Sequence, residues 1–140
     1  MRKRTRAREY VLQMLYQIDI THDSTESVIS NFWEGLSEEK IEEKIKEFAS
    51  ELVRGVIENL RELDARISNF AVNWQLKRMP IVDRNILRLG SFELLFRSDI
   101  PPKVSINEAV DLAKKYSGLE AAKFVNAILD KIKIEKDNGS

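Results

Sequence analysis

Five of the first eight residues are basic (Arg2, Lys3, Arg4, Arg6 and Arg8), and none of the eight is acidic. Cations at this density attract polyanions, with nucleic-acid phosphate the leading candidate. The formal net charge is +0, so an excess of acid elsewhere balances this end. At about 100° per residue, Arg2, Arg6, Gln13 and Tyr16 fall on one side of a helix. They stand opposite a stripe of Ala7, Val11 and Ile18. An aromatic beside arginines can stack an unpaired base while the cations hold phosphates. Two plainer readings stay open. The arm is a frayed tail, or Tyr16 packs with Leu12 against a neighbouring helix. Glu9 shares the basic face and tempers its charge.

A second basic and aromatic group holds Lys114, Lys115, Tyr116, Lys123, Phe124 and Asn126. Lys114 and Lys115 end one predicted helix, where cations also suit the helix dipole. Phe124 lies at the edge of the last helix's apolar face, so core packing stays open for it. Lys123 and Asn126 lie on the more polar side. Asparagine is locally unfavourable inside a helix, which points to a hydrogen bond with ligand or backbone. Asp83 stands near the start of an apolar helix. It stabilises the dipole, pairs with Arg84 or Arg88, or offers an acid to a basic protein partner.

Catalytic chemistry is poorly represented. The chain has no Cys, which excludes disulfides, thiolate catalysis and thiolate metal sites. His22 is the only histidine and falls in a polar turn. No phosphate-cradling GxxxxGK[ST] loop, GxGxxG or HExxH occurs. Glu38, Glu39, Glu42, Glu43 and Glu47 interleave with Lys40, Lys44 and Lys46. That pattern is a solvated face of i,i+4 pairs, not a carboxylate metal site. No enzyme activity, cofactor or metal is expected. No apolar run approaches the ~20 residues that cross a bilayer. The basic start lacks the apolar segment of a secretory signal. A soluble, cytoplasmic protein without a membrane partner is the expectation.

Helices must position these groups. With 140 residues and 43% hydrophobic, the chain suits one domain or two subdomains sharing a core. Residues 6–20 carry a helical stripe of Ala7, Val11, Met14, Leu15 and Ile18. A polar turn follows, then a short helix around Val28, Ile29, Phe32 and Trp33. Ser37 is a plausible N-cap for the apolar pattern over 41–70, which should bend near residues 55–62. Trp74 lies in the connection 73–79. Pro80 opens a helix to about Arg97 that is apolar nearly all round, and so central and buried. Gly90 within it allows close approach of another helix. Ser105-Ile106-Asn107-Glu108 reads as a capping box stapled by Val104 and Ala109. Its helix runs to about Tyr116, with Gly118 as terminator. A last helix from about Leu119 buries Ala122, Val125, Ile128, Leu129 and Ile132, and residues 136–140 should fray. No alternating strand pattern appears. The reading is all-α with six or seven helices.

Four ordered blocks resemble the NusB family of bacterial transcription antitermination factors. They are Arg6-Ala7-Arg8-Glu9 with Gln13-Met14-Leu15-Tyr16, then Ile86-Leu87-Arg88-Leu89 with Phe92-Glu93-Leu94. Asp99-Ile100-Pro101 with Val104-Ser105-Ile106-Asn107-Glu108-Ala109-Val110 and Ala113-Lys114 follows, and then Lys123-Phe124-Val125-Asn126 with Leu129-Asp130. The resemblance implies a single RNA-binding domain over 1–140. It would be all-α, with about seven helices in two perpendicular three-helix bundles, roughly 1–72 and 73–135. It implies binding of the boxA element of ribosomal RNA leader transcripts, together with the ribosomal protein NusE. That assembly joins the antitermination complex on RNA polymerase and aids ribosomal RNA synthesis. By position, Arg2, Lys3, Arg4, Arg6, Arg8 and Tyr16 match the family's RNA-binding start. Lys123, Phe124 and Asn126, with nearby Lys114, match further RNA contacts, and Asp83 matches an acidic position facing NusE. The competing reading is a helical protein-binding scaffold, or a homodimer in which the arm meets its own acidic face.

Overall fold

The structure, a computed structural model, describes residues 2–139. Among these, seven α-helices and one 3-10 turn form, and no strand. The helices are α1 Lys3–Thr21, α2 Thr25–Gly35, α3 Glu43–Glu58, α4 Leu60–Phe70, α5 Ile81–Phe96, α6 Pro102–Tyr116 and α7 Leu119–Gly139. The 3-10 turn is Leu76–Arg78. They divide into two compact units, Met1–Glu58 and Asn59–Ser140.

In the first unit α1, α2 and α3 pack pairwise. Ala7, Val11, Met14 and Leu15 of α1 are buried with Phe48, Leu52, Val53 and Val56 of α3. Ser24 caps α2 by accepting from the Ser27 amide at 3.2 Å. Arg54 of α3 donates twice to Glu26 of α2, at 2.8 and 2.9 Å. Those hydrogen bonds hold the Glu26 carboxyl below its ordinary pKa.

In the second unit α5 packs against α4, α6 and α7. A Cβ at Gly90 would stand 2.6 Å from Leu129 Cδ1 of α7 and 3.4 Å from Ala109 Cβ of α6. Hydrogen is therefore the only side chain that fits without movement. Glu93 of α5 is buried and accepts from the Ser105 hydroxyl of α6 at 2.9 Å.

Element boundaries meet the sequence expectation in one place and depart from it in others. Helix α1 begins at Lys3, so the arm is helical from its second residue and is not a frayed tail. Ser37 lies in a turn and caps nothing, because α3 starts only at Glu43. The 41–70 pattern is two helices interrupted at Asn59, within the expected bend. The unit boundary falls before α4 rather than after it, since α4 packs on α5 and α7. Helix α6 starts at Pro102, one turn before the expected capping box. Proline's fixed φ favours the first turn, and the Ser105 hydroxyl is committed to Glu93 instead. The end of α7 is helical to Gly139, with Lys136 donating to the Leu94 carbonyl at 2.6 Å. Ser140 lies outside the described residues.

Candidate nucleic-acid interface

Helix α1 carries the arm on its first two turns, and neighbours in the first unit take up each side chain differently. Lys3 reaches the exposed carboxylate of Glu42. Arg4 lies with its Cζ 4.2 Å from the centre of the Phe48 ring. Arg6 donates from Nε to the Tyr10 hydroxyl at 3.2 Å and from Nη1 to Glu9 at 3.0 Å. The Tyr10 and Glu9 hydrogen bonds raise the already high pKa of Arg6, so it is cationic throughout the usable pH range. Arg2, Lys3, Arg4 and Arg6 all remain exposed.

Arg8 is different. It is 2% exposed, with its Cζ 5.5 Å from the Phe48 centroid. It is a buried cation of the α1–α3 packing, and its expected place among surface contacts is corrected. The physical reason is helical phase: Arg8 shares its face with Leu12 and Leu15, both buried.

Tyr16 is 40% exposed on α1, and Gln13 and Gln17 beside it are exposed too. Arg2, Arg6, Gln13 and Tyr16 are therefore exposed on one side of α1. That side is interrupted by Glu9, which is buried, and by Tyr10, which is buried edge-on against Phe32 and Trp33 with centroids 5.7 and 5.5 Å away. Lys3, Arg6 and Lys40 line a shallow hollow of about 420 Å³ with Tyr10, Ile41 and Glu42. Lys40 was not singled out from the sequence, where it reads as one charge of a solvated run.

In the second unit, Lys114 is exposed near the end of α6, and Lys115 lies 5.4 Å from the Tyr116 ring. Lys123 and Asn126 are exposed on α7. Phe124 is half-buried, its ring 5.0 Å from that of Trp74 at 60°. By sequence Trp74 is part of a connection. Its signal was an aromatic within a polar stretch that leads into Lys77 and Arg78.

Asp83 is 3% exposed in the first turn of α5, and its Oδ1 has no hydrogen-bond partner. At this depth the carboxylate presents little surface of its own. Its neighbours Ile86, Leu87 and Gly90 share the buried face of α5. Arg88 forks onto Asp64 at 2.8 and 2.9 Å and donates to Asn85 at 3.1 Å.

Among the described residues no group of three or more His, Asp or Glu is placed to hold a metal ion. Nor is any helix among them long and apolar enough to cross a membrane.

The sequence profile of the NusB family matches residues 5–133. The transcription antitermination protein NusB of Anaeromyxobacter dehalogenans is 48% identical, over 93% of this chain and 89% of that protein. The NusB protein of Thermodesulfovibrio yellowstonii is 44% identical, over 96% and 93%. Among solved structures, T. maritima NusB superposes with a TM-score of 0.84 at 42% identity, covering 94% of this chain and 91% of that one. A structure of antitermination factors NusB and NusE in complex with double-stranded RNA matches with a TM-score of 0.81 at 33% identity, over 95% and 97%.

Proposed function

The chain belongs to the NusB family, and on that premise we propose that it is an RNA-binding adaptor of transcription antitermination. It binds boxA RNA of ribosomal RNA leader transcripts together with NusE, and joins the antitermination complex on RNA polymerase. It works in the cytoplasm and catalyses no reaction. The observation that carries this reading is on α1, where exposed Tyr16 follows the exposed cations Arg2 and Arg6 on one side of the helix.

Arg2, Lys3, Arg4 and Arg6 hold phosphates, and Tyr16 stacks on a base. Lys114, Lys123, Phe124 and Asn126 supply contacts from the second unit. The Lys3–Glu42 pair does not oppose this, since exposed ion pairs are worth only about 0–1 kcal/mol. A phosphate can replace Glu42 with little loss. Arg6 keeps its charge at any working pH, held by Tyr10 and Glu9. Arg8 supports the face by packing on Phe48 rather than by touching RNA.

Anisotropy of a labelled boxA-like RNA tests the reading, with this chain alone, NusE alone and both together. The mixture should bind more tightly than either protein. Absence of binding in all three arms would overturn the proposal.

A further inference from the structure

We propose that Trp74 is a second stacking platform, which seats an unpaired nucleobase in the hollow it shares with Phe124. The inference rests on the RNA-binding reading and extends it to a residue outside the basic-aromatic motifs. Trp74 is 37% exposed and Val72 beside it is 82% exposed. Exposed aromatic and aliphatic surface held at one spot is available to a flat apolar ligand. The indole is not a loose side chain. Its edge-to-face contact with Phe124, anchored on α7, fixes the plane.

Trp74 lines two hollows. One of about 590 Å³ is lined also by Phe70, Val72, Phe124, Ala127 and Lys131. The other, of about 600 Å³, includes Gln75, Lys77, Arg84 and the ion-paired Asp64 and Arg88. Both volumes lie within the ~300–1,000 Å³ that small ligands occupy. A flat apolar wall with Lys77, Arg84 and Lys131 in the same hollows suits a base with its neighbouring phosphates. An apolar protein side chain would use the wall but leave Lys77 and Lys131 without an anion. The charges therefore favour RNA. Phe124 already belongs to the proposed RNA contacts, so the hollow continues that surface.

Fluorescence tests the assignment directly, because the chain has two tryptophans. Trp33 sits in the first unit, donating to Ser50 at 3.0 Å. The Trp33→Phe variant therefore isolates Trp74. A single-stranded boxA-like RNA should quench its emission and saturate at the concentration given by anisotropy. Trp74→Ala should weaken binding about tenfold with the salt dependence unchanged, and Trp74→Phe should recover most of the affinity. Should Trp33→Phe fail to fold, the quenching difference between the unmodified chain and Trp74→Phe gives the same readout. Normal RNA binding with silent Trp74 emission and an unaffected Trp74→Ala variant overturns the platform while sparing the functional reading. Quenching by NusE without RNA also overturns it, by giving the hollow to protein. No RNA binding by the unmodified chain removes the functional reading and the platform together.

Discussion

Arg6 and Arg8 are two positions apart, yet burial gives them different work. Arg6 is exposed and braced by Glu9 and Tyr10, while Arg8 is enclosed against Phe48. Arg6→Ala should lower RNA affinity and flatten the log–log salt slope by less than one unit, with a smaller loss of stability than Arg8→Ala. Arg8→Ala should instead cost roughly 2–4 kcal/mol of stability, because it empties a buried site packed on Phe48. Urea unfolding of the two variants separates these outcomes. Equal stability of both would contradict the division. Tyr16→Ala should weaken RNA binding and leave the slope alone, and a changed slope would argue against stacking. The exposure of Arg6 and Tyr16 was legible in helical phase. The same phase also put Arg8 beside Leu12 and Leu15, but charge alone grouped it with the arm. Its partner Phe48 lies on another helix, which no local pattern reveals.

The elements hold these residues through a few close contacts. Gly90 lets α5 approach α6 and α7. Gly90→Ala gains up to about 1 kcal/mol of helix propensity but forces a methyl against fully buried Leu129. The net result should be a loss of about 1 kcal/mol. The Gly90→Ala/Leu129→Ala double variant should lose less stability than the sum of the two single losses, as a double-mutant cycle would register. Additive losses would mean that Gly90 and Leu129 do not meet. Between α2 and α3, Arg54 lowers the Glu26 pKa by hydrogen bonding. The pair's contribution is therefore present above the ordinary carboxylate pKa and fades as pH falls through the lowered folded value. Glu26→Gln should make stability less dependent on pH across that acidic window, and an unaltered acid limb would contradict it. Helix existence was legible because the apolar stripes are long. Helix starts were less so: Ser105 looks like a cap by spacing, yet tertiary contact with buried Glu93 claims its hydroxyl. Ser37 fails for the complementary reason, since the apolar pattern begins before the helix does.

For the whole molecule, the neutral total conceals a polar distribution. Basic groups crowd the start of α1, and more cations lie around Trp74 and Phe124 in the second unit. The basic start was readable from charge order, and the cations gathered around Trp74 were not. Nor was the aromatic at position 74, because its meaning depends on Phe124, fifty residues later, arriving at the same place. The ordered motif blocks carried the family, whereas composition alone reached only a helical protein with an anionic partner.

The most direct test of the account is the salt dependence of boxA-like RNA binding at a fixed NusE concentration. At roughly 0.7 per phosphate contact for single strands, the four accessible arm cations give a slope of about −2.8. Affinity should then fall about fiftyfold between roughly 50 and 200 mM salt, or further if Lys114 and Lys123 join. Binding that is flat across this range, or absent throughout, would contradict the assignment of this face to RNA.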